Sequence, residues 1–266
     1  MPELPELEVA RKTLKPCVAG KQIAGVLVER ERSIRTPKED ARKFAASLKG
    51  KKIESVERRG KALLFKMSGG ADVVFHYKLG ALAACRGKPV RQTDGVVWNF
   101  DDGSALEFTD MQLSEFHLAS EDELAALPVL KGGFDPLSSS LNPRKLKELL
   151  PPRKQLKAAL MDQKAIAGIG NNYSDEILWN ARLNPFRKVS DLSEKEISEL
   201  ARQIQATLKE SIKAGGESEF RDARGYHGHY QEKVHRRAGE PCPRDGHKIE
   251  MVKKGRKTFW CPQCQK

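Results

Sequence analysis

The pattern of apolar residues changes character once along the chain, and this change limits the folds open to it. Between about residues 21 and 108, apolar residues come in short runs separated by Gly, Asp and Lys clusters, which is typical of β-strands. The predicted strands are Ile23–Val28, Ile53–Arg58, Ala62–Met67, Val73–Tyr77, Val96–Phe100 and Ala105–Phe108. Asp101-Asp102-Gly103 predicts a hairpin turn between the last two strands. Short strands at this spacing indicate an antiparallel sandwich or barrel, preceded by a helix over Glu6–Lys15 that Pro16 ends.

Helical spacing of apolar residues dominates the second half of the chain. Two helices are predicted over Lys154–Gln163 and Tyr173–Trp179. The best-defined helix follows them and begins with a capping box of Ser193 and Glu196. Its apolar face consists of Ile197, Leu200, Ala201, Ile204, Leu208 and Ile212. Gly215-Gly216 ends this helix.

The two patterns together predict an α+β protein. Gly132-Gly133, Pro136 and Pro143 mark a linker between them. Residues 1–132 are therefore expected to form an N-terminal β-rich domain, a sandwich or a barrel, with flanking helices. Residues 133–216 contain the linker and the helices, and residues 217–266 contain a polar segment followed by a cysteine cluster.

The charge of the chain indicates a polyanionic partner. Its 266 residues contain 48 Lys and Arg against 36 Asp and Glu, which gives a net charge of +12 and a pI near 9.5. No apolar run reaches the roughly 18–20 residues that span a bilayer, which excludes a membrane protein. No signal peptide begins the sequence, so we expect a cytoplasmic protein, nucleoid-associated if bacterial, without a membrane partner.

The cysteines indicate a metal site rather than a disulfide framework. Their number is odd, and three of them lie close to the C-terminus, which is typical of a metal site in a reducing compartment. The five cysteines are Cys17, Cys85, Cys242, Cys261 and Cys264.

The three C-terminal cysteines predict a structural Zn²⁺ site. Cys261 and Cys264 form a Cys-x-x-Cys knuckle, and Cys242 supplies a third thiolate, so one further ligand is needed. His247 is favoured as the fourth ligand because zinc fingers generally use Cys and His. The alternative is Asp245, which occupies the position that would complete a second Cys-x-x-Cys spacing. The alternative to a metal site is that Cys261 and Cys264 are a redox pair or inert residues of the tail.

Two other segments are suited to contact phosphate groups. Lys253–Lys257 forms a basic turn between the zinc knuckles, in which Arg256 can clamp a phosphate through two N–H groups. Gly168–Tyr173 is a glycine-rich turn at a helix N-terminus, whose free N–H groups attract anions. The alternatives are a solvated loop for the first segment and a packing corner between two helices for the second.

The amino terminus has the chemistry of a nucleophile. Removal of Met1 would leave Pro2 with a free secondary amine, and an α-amino group titrates near about pH 8, so part of it is neutral in the cell. Attack of such an amine on a sugar C1′ gives the iminium intermediate of a Schiff-base lyase, and Glu3 beside it can move the protons. The alternative is a frayed tail.

Over essentially its whole length the chain resembles the formamidopyrimidine-DNA glycosylase/endonuclease VIII family of base excision repair. The matching motifs are the Pro-Glu-Leu-Pro-Glu opening, Arg58-Arg59-Gly60-Lys61, Gly133-Phe134-Asp135-Pro136-Leu137, Gly168–Glu176, Asn184-Pro185, Val234–Cys242 and Gly255–Gln265. The resemblance implies a catalytic β-sandwich domain, a helix-two-turn-helix DNA-binding domain in residues 133–216, and a lesion-loop segment and zinc finger in residues 217–266.

The resemblance also implies roles for single residues. Pro2 would be the nucleophile, Glu3 the general acid/base, and Glu6 a second acid that supports the site. Lys61, Asn171 and Arg256 match the phosphate-binding residues of the family. Lys61 is also expected to belong to the catalytic residues. These three residues would hold the DNA backbone around one extruded nucleotide.

The sequence differs from the family pattern at the positions whose side chains enter the DNA base stack in the family. Leu79 stands in place of a Met wedge and is a workable apolar substitute. Gln112 stands in place of an Arg that pairs with the orphaned base, and the family's Phe wedge is lost or displaced to Phe116. The segment Glu217–Lys233 is shorter than in enzymes that cap 8-oxoguanine with a long loop. We therefore expect oxidised pyrimidines, ring-opened purines or abasic sites as substrates.

The predicted function is a bifunctional DNA glycosylase and abasic-site lyase. It would remove oxidised or ring-opened bases through a Pro2 Schiff base and cleave the strand by β,δ-elimination. The expected partner is damaged double-stranded DNA, with single-stranded DNA left open, and the expected state is a monomer with structural Zn²⁺. The alternative is a non-catalytic damaged-DNA-binding paralogue of the same fold.

Overall fold

Two compact units make up the chain. The computed structural model describes residues 1–79 and 81–266, and for Lys254 only the backbone. The first unit contains Met1–Lys131 together with Ser218–Gly228, and the second contains Gly132–Glu217 together with His229–Lys266. The structure thus places residues 218–228 with the N-terminal unit and the cysteine cluster with the helices, whereas the sequence grouped residues 217–266 as one segment.

The first unit is a sandwich of two β-sheets, as predicted. Its strands are β1 (Ile23–Val28), β2 (Ile34–Thr36), β3 (Ile53–Arg59), β4 (Ala62–Met67), β5 (Ala71–His76), β6 (Leu82–Arg86), β7 (Val96–Phe100), β8 (Ala105–Thr109) and β9 (Glu115–Ser120). One sheet has the strand order β1-β7-β8-β6 and the other β2-β9-β5-β4-β3. Neighbouring strands are antiparallel except for β2 and β9, which are parallel.

Aromatic side chains fill the space between the two sheets. Phe75 of the five-stranded sheet lies 4.7 Å from Phe108 of the four-stranded sheet, and Phe65 lies 5.0 Å from Trp98, measured between ring centroids. These distances are in the range of favourable aromatic pairs. Phe116 is fully buried among them, 4.6 Å from Phe75. Phe116 is therefore a core residue, and of the two expectations for the family's Phe wedge, the one that places it at Phe116 is wrong.

Three helices flank the sandwich: α1 (Leu4–Val18), α2 (Ala41–Leu48) and α3 (Glu121–Ala126). Helix α1 begins earlier than predicted, because Pro5 lies in the first turn, where its missing N–H has no intrahelical partner to lose. The helix also continues past Pro16 to Val18, which is fully buried. The prediction that Pro16 ends the helix is therefore wrong, and the burial of Val18 favours the additional helical residues.

A disulfide bond joins helix α1 to strand β6. Cys17 and Cys85 form this bond, with Cα atoms 6.3 Å apart, which corrects the expectation that the cysteines form no disulfide. The segment 218–228 is attached at the same place. Its residue Ala223 accepts a hydrogen bond from the Cys85 N–H at 2.8 Å, and its own N–H lies 3.3 Å from the Thr13 hydroxyl.

The second unit consists of four helices and a β-hairpin. Its elements are α4 (Pro143–Leu149), α5 (Leu156–Leu160), α6 (Asn171–Asn180), α7 (Glu194–Lys213), β10 (Glu250–Lys254) and β11 (Arg256–Trp260). The predicted capping box of α7 is present, since the Ser193 and Glu196 side chains each accept from the other's backbone N–H. None of the helices among the described residues combines the length and apolar composition that a membrane span requires.

The disulfide is expected to contribute to the stability of the first unit. Reduction, or Cys17→Ser, should lower the free energy of unfolding by roughly 2–4 kcal/mol, because the bond closes a long loop in the unfolded chain. Urea unfolding with and without reductant measures this difference. The Cys17→Ser/Cys85→Ser double variant is the control for effects of reductant on the other cysteines. Equal stability of the oxidised and reduced wild-type chain would contradict the prediction.

Candidate active site and zinc finger

The amino terminus is held in place by two buried carboxylates at the start of α1. Glu3 is the N-cap of the helix, and the Glu6 side chain accepts a hydrogen bond from the Glu3 backbone N–H at 2.9 Å. Glu3 is 4% exposed and Glu6 is fully buried, whereas Met1 is half exposed. Pro2 is partly exposed between them. A chain end that is usually mobile is thus ordered here, with residue 2 beside an acidic side chain.

An ion pair ties α1 to strand β3. Glu8 accepts hydrogen bonds from Arg11 in the same helix and from Arg58 in β3, the latter at 3.2 Å. Burial alone would raise the pKa of Glu8, but the bonds and charges of the two arginines outweigh it, and the pKa lies below its usual value. Helix α1, which follows Pro2 and Glu3, is therefore fixed to the strand that leads to Lys61.

Lys61 lies in the two-residue turn between β3 and β4. Arg59 pairs with Ala62 across the hairpin, so Gly60 and Lys61 are the two residues of the turn. Gly60, the first of them, has a positive φ of 55°, which glycine adopts without strain. Ala62 pairs in turn with His76 of β5. Burial lowers the pKa of His76, and the Lys61 ammonium adds to this effect, although Glu115 opposes it. An imidazole with a lowered pKa therefore lies near Lys61, a feature that the sequence did not indicate.

Leu79 and Gln112 lie on two neighbouring loops of the first unit. Both are exposed, Leu79 by 46%. The Leu113 N–H donates to the Leu79 carbonyl at 3.2 Å, which brings the two loops together. The structure thus places Leu79 and Gln112, two residues that are predicted to contact the base stack, on adjoining loops. It places Phe116 in the core instead.

In the second unit, Asn171 is the first residue of α6. The helix follows the glycine-rich turn, with Gly170 as its N-cap and no side-chain cap. The Asn171 side-chain oxygen Oδ1 is buried without a hydrogen-bond partner among the described residues. The positive end of the helix dipole at a helix N-terminus is a suitable environment for a phosphate.

Arg256 is exposed at the tip of the β10–β11 hairpin, next to Gly255 with a positive φ of 78°. The base of this tip is braced from α5, because the buried Lys157 ammonium donates to the Lys257 carbonyl at 2.7 Å. The same ammonium contacts Asp175 Oδ1 at 2.6 Å, and His235 Nδ1 lies 2.8 Å from the other carboxylate oxygen. A buried charged group thus fixes the backbone next to Arg256.

A buried carboxylate of α6 organises the chain that leads into the hairpin. Glu176 accepts three backbone N–H groups, from Lys233, Val234 and His235, at 2.7–2.9 Å. Burial raises its pKa, although the three N–H groups favour its ionised form. The sequence reasoning gave Glu176, Lys157 and His235 no individual role. The acidic pair Asp175-Glu176 directly before the apolar run Ile177-Leu178-Trp179 was the available signal.

Three thiols and one carboxylate converge in the second unit. Ligand atoms of Cys242, Asp245, Cys261 and Cys264 all lie within 4.8 Å of one another. The Cys242 and Cys264 sulfur atoms are 3.9 Å apart, and Asp245 Oδ2 lies 3.4 Å from Cys261 Sγ. A tetrahedral Zn²⁺ with Zn–S bonds of about 2.3 Å spaces its sulfur ligands by about 3.8 Å, so this donor set fits zinc.

The two halves of this cluster have the same backbone geometry. In each, the N–H four residues after the first cysteine donates to that cysteine's carbonyl: Gly246 to Cys242 and Gln265 to Cys261. Two matching turns therefore present their first and fourth residues to the metal position, and the fourth residue of the first turn is Asp245.

The expectation that His247 is the fourth ligand is corrected by this geometry. Its side chain is 57% exposed, and its Nδ1 lies 3.8 Å from Asp245 Oδ1. His247 takes part through its backbone instead, since its N–H donates to Asp245 Oδ1 and its carbonyl accepts from Cys242. His247 follows the turn of residues 242–246, which directs Cys242 and Asp245 towards the metal position.

Known proteins match the chain along its length. The family model of the formamidopyrimidine-DNA glycosylase N-terminal domain matches residues 1–114, the H2TH domain model of these glycosylases matches residues 133–222, and a zinc finger found in FPG and IleRS matches residues 239–266. The formamidopyrimidine-DNA glycosylase of Pelotomaculum thermopropionicum is 40% identical over all of this chain and 99% of its own. The chain belongs to the formamidopyrimidine-DNA glycosylase family.

Solved structures of the family agree with this assignment. Lactococcus lactis Fpg in complex with abasic-site DNA is 30% identical, with a TM-score of 0.87 and 99% of each chain covered. The same protein with oxidised-pyrimidine DNA is 31% identical, with a TM-score of 0.87 and 100% of each chain covered. As a family member, the protein is a DNA glycosylase of base excision repair. Its C-terminal module is a zinc finger, and zinc is its structural metal.

Asp245 is predicted to be the fourth zinc ligand. Asp245→Ala should lower the zinc bound per purified chain by at least fivefold, because it removes one of four donors, whereas Asp245→Cys should retain it. Atomic absorption of the purified chains measures the content. His247→Ala is the matched control and should keep wild-type zinc. Loss of zinc from the His247 variant alone would contradict the assignment.

Arg256 is predicted to contact a DNA phosphate. Arg256→Ala should weaken binding alike on all sequences and reduce the slope of log K against log salt by about one unit. Fluorescence anisotropy over a salt series measures the slope. Arg144→Ala removes another exposed guanidinium of the same unit and should leave the slope unchanged. A sequence-dependent loss in the Arg256 variant would argue against a backbone contact.

Proposed function

We propose that this glycosylase is bifunctional, with Pro2 as the nucleophile of both base excision and strand cleavage. The observation that carries the proposal is the ordered amino terminus, in which Glu3 and Glu6 are buried and joined through the Glu3 N–H. A nucleophile must be held close to its proton-transfer partner, and the capping box supplies this constraint. Removal of Met1 is required to free the Pro2 nitrogen.

The reaction follows from the chemistry of a secondary amine. The Pro2 nitrogen attacks C1′ of the damaged nucleotide, the C1′–N bond to the base breaks, and the base leaves with a proton. The C1′–O4′ bond then breaks, O4′ takes up a proton, and the opened sugar is an iminium ion of Pro2. This ion acidifies the C2′ hydrogen, and removal of that hydrogen expels the 3′ phosphate. A second elimination expels the 5′ phosphate, and water then releases the sugar remnant from Pro2. This sequence constitutes β,δ-elimination.

Glu3 and Glu6 are proposed to have different roles. Glu3 adjoins Pro2 in the chain and is nearly buried, so it can deliver a proton to the departing base or sugar oxygen and recover one later. Glu6 has its carboxylate on the Glu3 N–H, so it positions the terminus rather than the substrate. Lys61 completes the catalytic group as a cation at the β3–β4 turn.

The proposed partner is damaged double-stranded DNA, bound by a monomer in the cytoplasm, at the nucleoid of a bacterial cell. Support comes from the net charge of +12 and from the phosphate-binding chemistry at Lys61, Asn171 and Arg256. Single-stranded DNA is a second candidate partner. Each of the three residues would contact the sugar-phosphate backbone, which positions the protein without reading sequence.

Oxidised pyrimidines, ring-opened purines and abasic sites are the proposed lesions. The related Lactococcus lactis protein has been solved with DNA containing an abasic site and an oxidised pyrimidine. Gln112 stands where an Arg would face the orphaned base, so a strong preference for one opposite base is not expected. The alternative of a non-catalytic paralogue is not favoured, because the relative that is 40% identical over the full length is itself named a glycosylase.

Borohydride trapping tests the nucleophile. The wild-type chain should form a covalent adduct with abasic duplex DNA, because borohydride reduces the iminium ion to a stable amine. Pro2→Gly should reduce the adduct at least tenfold while binding to a tetrahydrofuran abasic analogue changes less than threefold. A chain with one extra residue before Pro2 is the matched control, since it blocks the amine and keeps the side chain. Full trapping by the blocked chain would contradict the proposal.

A further inference from the structure

The Cys17–Cys85 disulfide lies where a distant segment of the chain is attached to the sandwich. Ala223 of the segment 218–228 is held from two sides: its carbonyl accepts from the Cys85 N–H at 2.8 Å, and its N–H lies 3.3 Å from the Thr13 hydroxyl. Thr13 precedes Cys17 by about one helical turn, so both side chains lie on the same face of α1. The disulfide thus joins the helix and the strand that hold Ala223.

The strand in this contact is at the edge of its sheet. Strand β6 comes last in the order β1-β7-β8-β6, with β8 as its neighbour. Cys85 pairs with Leu106 of β8, while its N–H is directed to Ala223. Backbone groups along an edge strand are open to pairing with other segments. The 218–228 segment therefore covers the β6 edge at Cys85, and its attachment depends on the spacing of α1 and β6.

The segment holds its own shape through the Asp222 carboxylate. One oxygen accepts from the Arg224 and Tyr226 N–H groups at 2.8 and 3.0 Å, and the other accepts from the Arg224 guanidinium at 2.8 Å. This guanidinium lies 5.2 Å from the centre of the exposed Tyr226 ring, an arrangement suited to contact with nucleic-acid bases and phosphates. The segment can therefore move as a body, and the buried Ala223 anchors it to the sandwich.

The two sulfur atoms are placed to change oxidation state. Cys17 and Cys85 are both partly exposed, so small thiols can reach the disulfide. The reduced form also has a partner, because Cys17 Sγ lies 3.3 Å from the Thr13 carbonyl, which accepts weakly from a thiol. Compartments that hold DNA keep thiols reduced, and disulfides that form there are commonly redox-sensing. A disulfide in a DNA glycosylase therefore fits a bond that opens and closes better than a permanent one.

We propose that Cys17 and Cys85 are a redox modification site, at which thiol–disulfide exchange controls the attachment of the 218–228 segment. In the disulfide form, α1 and β6 are joined and keep Ala223 in place. In the reduced form, Ala223 is held without this cross-link, and the segment detaches more often. The disulfide form excises bases faster, because an anchored segment loses less entropy when DNA binds. Oxidising conditions, which produce the proposed lesions, thus activate the protein, and this last step rests on the proposed function.

The exchange uses a small thiol such as glutathione and its disulfide. A glutathione thiolate attacks one cysteine sulfur, a mixed disulfide forms, and the other cysteine leaves as a thiolate that takes up a proton. A second glutathione thiolate attacks the glutathione sulfur of the mixed disulfide, which forms glutathione disulfide and releases the remaining cysteine. Two electrons thus pass from two glutathione thiols to the cysteine pair. Glutathione disulfide oxidises the pair by the reverse sequence.

A redox titration tests the exchange itself. The zinc-loaded full chain is equilibrated in glutathione buffers from strongly reducing to strongly oxidising, and free thiols at Cys17 and Cys85 are counted by alkylation and peptide mass spectrometry. Both thiols should disappear together, and reversibly, within the range in which glutathione itself changes from mostly reduced to mostly oxidised. A pair that stays a disulfide, or stays reduced, across the whole range would overturn the proposal.

Hydrogen exchange tests the attachment of the segment. Peptides that contain Cys85 or residues 219–228 should exchange at least fivefold faster in the reduced chain than in the disulfide chain. The Cys17→Ser/Cys85→Ser variant should show the fast exchange in both buffers, because it lacks the pair. A peptide from strands β3 and β4 is the internal reference and should not change. Equal exchange of the segment in both states, or an equal acceleration of the β3–β4 peptide, would overturn the proposal.

Activity provides a third readout. Single-turnover excision of an oxidised pyrimidine from duplex DNA should be at least threefold faster for the disulfide chain than for the reduced chain. The Cys17→Ser/Cys85→Ser variant should excise at the rate of the reduced chain in both buffers, which excludes an effect of the buffers on the zinc ligands. Equal rates for the two wild-type states would overturn the control of activity. Absence of excision and trapping in both states would refute the proposed function instead, and the titration and hydrogen exchange, which need no DNA, would still decide whether the redox site exists.

Discussion

The proposed nucleophile at the amino terminus depends on one local constraint, which is the reciprocal capping between Glu3 and Glu6. A chain terminus loses much conformational entropy when it is ordered, so it is mobile unless specific contacts hold it. Here the Glu6 carboxylate holds the Glu3 N–H, and the next residue, Leu4, is fully buried. An α-amino group on such a terminus combines a pKa far below that of lysine with a fixed position, and neither property alone makes an efficient nucleophile.

Buried charged groups have a comparable role in the second unit. Glu176 collects three backbone N–H groups of residues 233–235, and Lys157 holds the carbonyl next to Arg256. A long arginine side chain loses entropy when it binds a phosphate, and a rigid hairpin limits this loss to the side chain itself. The zinc finger and these two contacts thus hold the backbone beside Arg256, the residue that is predicted to contact a DNA phosphate.

Much of the fold could be predicted from local sequence signals, and the misses share a physical cause. The capping box of Ser193 and Glu196 predicted helix α7 because both partners lie within one turn. Strands β2, β6 and β9 were missed. The short strand β2 is stabilised by parallel pairing with β9, a distant part of the chain. The Cys17–Cys85 bond was missed for the same reason, since sequence spacing carries no information about a Cα distance across the fold.

Residue type predicted the three cysteines of the metal cluster, which the structure brings together, while the roles of Pro2 and Glu3 stay predictions. Residue type did not suffice where the site depends on geometry. Residue preference favoured His247 over Asp245, but matching turns direct residues 242 and 245 to the same point. Likewise, Phe116 was a candidate wedge by type but lies in the core, while the neighbouring Leu113 is exposed.

Peptide mapping of the borohydride-trapped complex tests the central claim most directly. After digestion of the protein and the DNA, tandem mass spectrometry should find the sugar remnant on the α-nitrogen of Pro2, in a peptide that lacks Met1. A remnant on the side chain of Lys61 or another lysine, or an adduct in a chain that retains Met1, would contradict the account.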